Sequence, residues 1–477
     1  MNTIEREIMM PFAKRIKILL WICLLSVLLL PAEPGSAKAG SPLPDINAID
    51  VLDLNTAITI ALAGNPTLAA ARDRVRQAQA RLNQARSTYW PRVDATASGS
   101  RVSLADRTLD QQRAQARFFN PTASIEDPET YYRAGLSATW LLFNGFERKW
   151  SNASAHIGID QSNMGRKETR RRLLAAVAQT YHAAQLAREN LTIARADAAF
   201  NQRLLDDAKI RRRVGTGSLS DTLNFEIRVN AARNNEIKAA ETYASTRYAL
   251  AAILGIADAR LPANVKLAPM AAENDTEMHP PDVQPLIDYA FLHRPDILQG
   301  NLNQQQADLA VKIARAGYYP AVNVSAAING EHAGDASFKN EDFGNTLALG
   351  LSYNLFSGGL TGAKVDEAKA RLAETTREWA DTRLQAGAQV RSAHAKLLAA
   401  QRQLALQRDN ARLVEKQREL VEKEYNAGQG SLVRLNEAQR DLITAKGRLA
   451  LALVSLRQAW FELKTETGRI LEAYPAE

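Results

Sequence analysis

The chain has 477 residues, of which 46% are hydrophobic and 23% are charged, and its formal net charge is +8. This composition excludes collagenous, low-complexity and disulfide-rich proteins, and the lack of a basic patch interleaved with aromatic residues argues against nucleic-acid binding. The 17 prolines are unevenly placed, because residues 129–261 and 321–474 contain none. Since proline interrupts helix interiors, these two stretches predict very long helices.

Residues 1–39 are typical of a secretory signal peptide. Basic residues precede the apolar run 18–30, and Ala37-Lys38-Ala39 provides a cleavage site before Gly40. A short membrane anchor is the alternative, although the run falls short of the roughly 20 residues that a spanning helix needs. Cys23 lies within this run, so the mature chain is expected to lack disulfides, thiolate catalysis and thiolate metal sites.

The mature chain contains an internal repeat. Four landmarks of the first half recur in the second half, two at an offset of 229 residues and two at an offset of 213. They are Asn65-Pro66 with Arg294-Pro295, Tyr89-Trp90-Pro91 with Tyr318-Tyr319-Pro320, residues 142–145 with 355–358, and residues 214–219 with 427–432. Landmarks in one order with fixed offsets indicate a duplicated architecture. The predicted organisation is a first repeat at 40–255, an equatorial linker at 256–285 and a second repeat at 286–477.

Four segments alternate apolar and polar residues with a period of two. They lie at about 92–103, 131–143, 321–331 and 345–356. This period over about ten residues, with an aromatic residue near the end, predicts transmembrane β-strands. An ordinary half-buried hairpin has the same alternation and is the alternative.

Apolar heptads predict that the remaining segments are supercoiled helices. The clearest heptad consists of Leu435, Leu442, Leu449, Leu456 and Leu463, with an alanine three residues after each of the first four. The predicted helices are 66–89, 147–213, 218–254, 295–318, 360–426 and 431–468. The two 67-residue helices would each be about 100 Å long, a length matched by one return helix and one short helix stacked end to end. A soluble helical bundle would have the same core.

Four strands cannot close a barrel, since the smallest closed barrels have about eight, and an open sheet leaves unpaired edges. The sequence therefore predicts a mainly α chain with a small β part. Its fold would be an internally duplicated, long helical coiled-coil barrel with four β-strands that join those of other copies. The extra residues of the first repeat, within 102–130, predict a long loop between its two strands, and 331–343 predict a shorter one in the second repeat.

The order and spacing of these motifs resemble the TolC family of outer-membrane efflux and secretion channels. The matching motifs are the Tyr-Trp-Pro and Tyr-Tyr-Pro strand entries, the Leu-Phe-Asn-Gly and Leu-Phe-Ser-Gly strand exits, and the Gly-x-Gly-Ser-Leu helix turns. The resemblance implies a homotrimer with a 12-stranded barrel in outer-membrane lipid and a helical tunnel projecting into the periplasm. It also implies a passive exit duct of a tripartite efflux or type I secretion system. Such a duct docks to a periplasmic adaptor and an inner-membrane pump, proton-driven or ATP-driven, and needs no cofactor.

The resemblance also assigns roles to the helix turns. The residues that an adaptor would contact at the tunnel tip are Val214, Gly215, Gly217, Ser218, Leu219, Gly428, Gly430, Ser431 and Leu432. Ser220 and Asp221 match positions that hold the tip closed, with Tyr425 as a partner in that latch, although Gly430 replaces the arginine expected there. The alternatives are that the glycines only make tight turns and that Asp221 only favours the helix macrodipole.

Glu437 matches a carboxylate that lines the tunnel constriction, where three copies would form a ring attractive to cations. Arg434 replaces the neighbouring carboxylate of the family, so the expected ring is mixed or weaker. A solvated face of the coiled coil is the alternative for Glu437.

Two other functional classes compete with a channel. A periplasmic coiled-coil scaffold or adaptor would share the helical hairpins, but adaptors lack two alternating strand pairs. An enzyme is disfavoured, because the sequence contains no H-E-x-x-H, G-x-S-x-G or P-loop motif and its six histidines are scattered. We therefore expect no catalytic, cofactor-binding or metal-binding residues.

Overall fold

A computed structural model describes residues 46, 49–122, 125, 127–271 and 273–475. The predicted signal peptide at 1–39 lies outside the described residues. The helices are α1 (Leu54–Gly64), α2 (Pro66–Ser87), α3 (Asp106–Phe119), α4 (Glu147–Arg213), α5 (Leu219–Leu254), α6 (Val283–His293), α7 (Pro295–Arg315), α8 (Leu360–Asn426), α9 (Leu432–Thr467) and α10 (Ile470–Ala473). The strands are β1 (Val51–Leu52), β2 (Arg92–Val102), β3 (Glu129–Asn144), β4 (Lys266–Leu267), β5 (Ala321–Ala333) and β6 (Phe343–Ser352).

Four strands form one antiparallel sheet in the order β2-β3-β5-β6. A representative row across it pairs Val93 with Ala138, Ala138 with Ala326, and Ala326 with Leu347. β2 and β6 are the two outer edges of this sheet. β1 and β4 form a separate parallel pair, in which β4 belongs to the linker.

The last strand is displaced from its predicted position at 345–356. β6 begins at Phe343 and ends at Ser352. The final residue of β6, Ser352, pairs with Ala321 of β5. Pro320, which precedes Ala321, has no amide hydrogen with which to extend the ladder. The strand therefore stops there, and the aromatic residues that follow it leave the sheet.

Two other predictions need correction. The predicted loop at 102–130 contains helix α3, because residues 103–120 include no proline and are rich in Gln, Arg, Ala and Leu, which favour helices. The predicted linker at 256–285 is shorter, because α6 already begins at Val283. Pro285 lies in the first turn of α6, where the missing amide hydrogen has no helical partner to lose.

The helices pack side by side in one layer. Near the helix turns the order across the layer is α5-α4-α9-α8, and near the sheet it is α2-α4-α7-α8. The long helix α8 therefore forms one edge of the layer along its whole length. The opposite edge is formed by α2 near the sheet and by α5 near the turns.

The predicted heptads lie in the helix cores. Leu435, Leu442, Leu456 and Leu463 are buried, and Leu449 packs against the cluster that contains Leu456 and Leu463. The alanines three residues after each of the first four leucines are buried too, which lets the helix axes approach closely. No described helix combines the length and the apolarity needed to cross a lipid bilayer.

Helices meet end to end at two junctions, one in each repeat. At the first junction, between α5 and α2, the Asn65 side-chain amide donates a hydrogen bond to the Ile253 carbonyl oxygen (2.8 Å). At the second junction, between α9 and α7, the Arg294 guanidinium donates to the Glu466 carbonyl oxygen (3.1 Å). Both repeats thus have the stacking that the helix lengths predict. We call this level of the molecule, with β1, β4 and the linker, the belt.

Candidate duct wall and helix-turn tips

One face of the four-stranded sheet is largely apolar from edge to edge. Besides the row that contains Val93 and Leu347, a second row joins Trp140, Val324 and Leu349. Leu347 and Leu349 are more than 70% exposed. Asn345 and His332 are polar residues on the same face, farther from the helices. A sheet with one largely apolar face is suited to contact with lipid rather than water.

The opposite face of the sheet is polar. One row on this face pairs Asp94 with Ser137 and continues to Thr346 on β6. Across β3 and β5, the Arg133 guanidinium forms an ion pair with Glu331 (Nε–Oε2 2.5 Å). A polar face behind a lipid-facing one is the pattern of a strand that lines a water-filled lumen.

Aromatic side chains surround the end of the sheet that meets the helices. The exposed members are Tyr89, Trp90, Tyr318, Tyr319, Tyr353 and Phe356. Arg148, at the start of α4, stacks on the Tyr89 ring (4.3 Å to its centre) and donates to the carbonyl oxygens of Thr88, Leu141 and Leu142. Rings of exposed aromatic side chains like this one mark the boundary between membrane and water. No sequence motif indicates this role of Arg148, because its carbonyl partners lie on strand β3 and at the end of helix α2.

The two helix turns have the same backbone geometry. In the first turn, the amides of Thr216 and Gly217 donate to the Arg211 carbonyl (2.9 and 3.0 Å). In the second turn, the amides of Gln429 and Gly430 donate to the Glu424 carbonyl (2.9 and 3.0 Å). The predicted turn residues therefore form two equivalent tips at one end of the helical layer.

The glycines of each tip have two different tasks. Gly215 and Gly428 adopt positive φ angles of 80° and 73° and have open space around them. At Gly217 and Gly430 a Cβ atom would come within 2.8 and 2.9 Å of a backbone nitrogen of the preceding helix. The first pair permits the backbone turn and the second permits close packing.

Ser218 and Ser431 begin the return helices. The Ser218 hydroxyl oxygen accepts a hydrogen bond from the Asp221 amide (3.0 Å), and the Ser431 hydroxyl oxygen accepts one from the Arg434 amide (3.3 Å). Both serines are thus N-caps, which stabilise the start of a helix. Beside them, Val214 and Leu219 are exposed apolar side chains, whereas Leu432 packs against the core beneath the tips.

Of the three predicted latch residues, Tyr425 contacts the first tip, through Arg211. The Arg211 guanidinium lies over the Tyr425 ring (5.4 Å to its centre). Burial raises the pKa of the Tyr425 hydroxyl, while Arg211 opposes the shift and Asp221 adds to it. Asp221 and Tyr425 therefore influence each other across the two tips, and Ser220 is exposed next to Asp221.

The two residues assigned to the constriction lie one helical turn apart at the start of α9. Arg434 forms an ion pair with Glu424 of α8 (3.1 Å), which neutralises part of its charge. Glu437 is exposed. Within the described ranges, no three His, Asp or Glu side chains are grouped in a way that could hold a metal ion.

The comparisons with known proteins identify the family. A sequence profile of the outer membrane efflux proteins matches residues 57–256 and 286–469, which include both repeats. Protein CyaE of Bordetella pertussis is 27% identical over 430 residues, covering 90% of this chain and 86% of that protein. The pyoverdine export outer membrane protein OpmQ of Pseudomonas putida is 26% identical over 442 residues, covering 91% of this chain and 90% of the relative.

Solved structures share the fold. The CmeC outer membrane channel of Campylobacter jejuni superposes with a TM-score of 0.73 at 18% identity, covering 87% of this chain and 85% of that chain. The open state of the MtrE outer membrane channel of Neisseria gonorrhoeae gives a TM-score of 0.68 at 21% identity, covering 90% and 93%. The resemblance to TolC channels is confirmed, and with it the duct rather than the periplasmic scaffold. The protein is an outer-membrane exit duct whose helices project into the periplasm, and the chain belongs to the outer membrane efflux protein family.

Proposed function

We propose that three copies of the chain close into one passive duct, which serves as the exit of a tripartite efflux or type I secretion system. The support comes from the free edges of the protomer. Within the described sheet, β2 and β6 each have a neighbouring strand on one side only. Three sheets joined through these free edges would make a barrel of 12 strands, which is large enough to close. This proposal fits a relative such as OpmQ, which is an export protein of the outer membrane.

The helical layer has complementary edges as well. Leu406, Leu413 and Leu420 of α8 follow a heptad but are 52–69% exposed. On the opposite edge, Ile227 and Ile237 of α5 are 69% and 68% exposed. An apolar heptad requires a partner helix. In a closed ring the α8 edge of one copy meets the α5 edge of the next, and both stripes are then covered.

Assembly is tested by Leu413→Asp in the full chain, with Arg412→Gln as the matched control. Leu413 belongs to the exposed stripe, whereas the Arg412 side chain is 77% exposed and pairs only with Asp409. Native mass spectrometry in detergent is expected to show trimers for the wild type and Arg412→Gln, and monomers for Leu413→Asp. Trimers of normal stability in Leu413→Asp would contradict closure through this edge.

We further propose that the two tips dock to a periplasmic adaptor, which links the duct to an inner-membrane pump. The tips combine rigid, glycine-dependent turns with exposed apolar side chains of Val214, Leu219 and Val433. Such a combination suits recognition by another helical hairpin. Ser220, Asp221 and Tyr425 are proposed as the latch that holds the tip closed, and Glu437 with Arg434 as the mixed ring at the constriction.

Docking is tested with Gly428→Val, which forces a β-branched residue into a positive φ angle. Gly447→Val is the control, because Gly447 lies inside α9 and has open space around it. Export by living cells is expected to fall sharply for Gly428→Val and to remain near normal for Gly447→Val, at equal amounts of trimer in the outer membrane. Normal export by Gly428→Val would remove the tips from the docking site.

A further inference from the structure

A cleft of about 510 Å³ opens in the belt, away from the sheet and the tips. Its walls come from α1, α4, the linker and α9. Ligand pockets commonly measure about 300–1,000 Å³. The cleft is therefore large enough for a small organic molecule.

The cleft carries two positive charges from one face of α9. The Arg457 guanidinium donates one hydrogen bond to the Ala271 carbonyl of the linker, and its other N–H groups remain for a ligand. The Lys464 ammonium group is exposed and has no hydrogen bond or ion pair to any described residue. Glu277, the acidic residue of the cleft, already accepts a hydrogen bond from the Asn274 amide (3.0 Å). The surplus of positive charge favours an anion.

Aromatic surface lies between the two cations. Trp460 and Phe461 both line the cleft. The indole N–H of Trp460 donates to the Glu277 carbonyl (2.9 Å), so the polar atom of the ring is satisfied. One side of the ring packs against the core, and the part that lines the cleft offers apolar contact. Flat aromatic walls favour a ligand with a ring of its own.

His182 adds a buried acceptor. The side chain is only 4% exposed, and its Nδ1 lies 3.1 Å from Gln185 Oε1. Because Gln185 Nε2 donates to the Ala268 carbonyl (3.0 Å), Oε1 is the acceptor and Nδ1 carries the proton. Nε2 is then an acceptor, and no described residue donates to it. Burial lowers the pKa of His182 to about 4, which keeps the ring neutral at neutral pH.

We propose that this cleft binds a small aromatic carboxylate that carries a hydroxyl group. The carboxylate binds the Lys464 ammonium group, and the ring packs on Trp460 and Phe461 between the two cations. The hydroxyl donates to His182 Nε2, and Arg457 adds to the positive potential of the cleft. A bound ligand holds the linker against α4 and α9, so binding stabilises the belt. This function is separate from the passage of cargo through the duct.

The test uses the full-length protein in lipid nanodiscs and titrates it with 4-hydroxybenzoate by calorimetry. A ligand of this size is expected to bind at about millimolar concentration. Benzoate lacks the hydroxyl and is expected to bind about fivefold more weakly, and phenol lacks the carboxylate and is expected to bind about tenfold more weakly. Equal affinity of phenol and 4-hydroxybenzoate, or no binding of 4-hydroxybenzoate by the wild type, overturns the proposal.

Lys464→Gln is the variant of choice, because the Lys464 ammonium contacts no described residue and its removal leaves the fold intact. It is expected to weaken 4-hydroxybenzoate binding by about fivefold and to leave phenol binding unchanged. Arg440→Gln, on an exposed position of α9 outside the cleft, is the control and is expected to bind like the wild type. An unchanged affinity of Lys464→Gln for 4-hydroxybenzoate overturns the proposal.

Discussion

The two junctions of the belt make the same backbone contact with different side chains. At the first, a neutral amide, Asn65, reaches the Ile253 carbonyl, and at the second a guanidinium, Arg294, reaches the Glu466 carbonyl. Asn65 and Arg294 are equivalent residues of the repeat, as are Ile253 and Glu466. The two donors thus occupy equivalent positions although one is an amide and the other a guanidinium. This indicates that the backbone of the helix ends, rather than the type of donor, determines the geometry of the junction.

The second junction adds a network of charges that the first lacks. Arg294, 3% exposed, also binds Asp296 (2.7 Å) and the Glu466 carboxylate (3.1 Å). Glu466 in turn lies 3.5 Å from Arg171 of α4, which belongs to the first repeat. Buried ion pairs add little net stability, but they are expensive to break and fix one arrangement. The second junction thus links the two repeats through ion pairs, whereas the core around the first junction meets the second repeat through apolar contacts such as that of Ile470.

Arg294→Ala is expected to have the largest effect, because it removes the ion-pair partner of the partly buried Asp296 and leaves Glu466 with only the longer contact to Arg171. Breaking such a pair from one side costs about 3–5 kcal/mol. Thermal unfolding of the purified protein and hydrogen exchange at the end of α9 measure the loss. Arg469→Ala, an exposed neighbour, is the control. Equal melting temperatures of the two variants would mean that the network is no more than a surface feature.

Acid is expected to act on the two repeats in different pH ranges. The pKa of His182 is lowered by burial from 6.5 to about 4, so the unfolded chain binds a proton first as the pH falls. Stability is then lost between pH 6.5 and pH 4, by at most about 3 kcal/mol. The equivalent residue of the second repeat is Ala395, which does not titrate.

The second junction responds only to stronger acid. Burial raises the pKa of Asp296, but the hydrogen bond and charge of Arg294 more than reverse this, so the pKa lies below its usual value of 3.8. Its contribution is present above pH 3.8 and is lost as the pH falls through the folded pKa. Hydrogen exchange at pH 7 and pH 5, corrected for intrinsic rates, is expected to show earlier opening around His182. His182→Gln removes this difference, and a variant that still opens first would contradict the assignment to His182.

The glycines that end α5 and α9 differ in how tightly the two junctions surround them. Gly255 and Gly468 both adopt positive φ angles, 76° and 82°, so alanine at either position costs about 1–2 kcal/mol. At Gly255 a Cβ atom would also overlap the Gly64 carbonyl oxygen, whereas at Gly468 its nearest neighbour is 3.6 Å away. We expect Gly255→Ala to be less stable than Gly468→Ala by about 2 kcal/mol. Similar melting temperatures of Gly255→Ala and Gly468→Ala would show that the first junction has as much space for a Cβ atom as the second.

The sequence predicts features that depend on neighbouring residues. The long helices have the predicted ranges, 147–213 and 360–426. Each follows two residues with positive φ, Gly145-Phe146 or Gly358-Gly359, lacks proline and ends before a glycine tip. The heptads identify the buried faces of the helices, because spacing along one helix determines which residues share a face. The tips follow from short motifs that are local as well.

Features that depend on distant residues were missed. Helices α1 and α6 are equivalent, each with 11 residues at the offset of 229, and a search for that offset upstream of Asn65 would have found them. The network at the second junction has no such signal, because residues 171, 294 and 466 meet only after folding. The end of β6 depends on the proline that precedes its partner strand, which alternation within β6 does not reveal.

Asn65→Ala is expected to have the smallest effect and to test the shared contact directly. Asn65 has two roles, since its Oδ1 accepts from the Thr67 amide (2.9 Å) as the N-cap of α2 and its Nδ2 donates to the Ile253 carbonyl (2.8 Å). Loss of both costs about 1–2 kcal/mol. Asn65→Asp retains the cap but cannot donate, so it isolates the contact with Ile253. If Asn65→Asp melts like the wild type, the donor at this position does not hold the stacked helices together. The resemblance between the two junctions would then lie in their backbone alone.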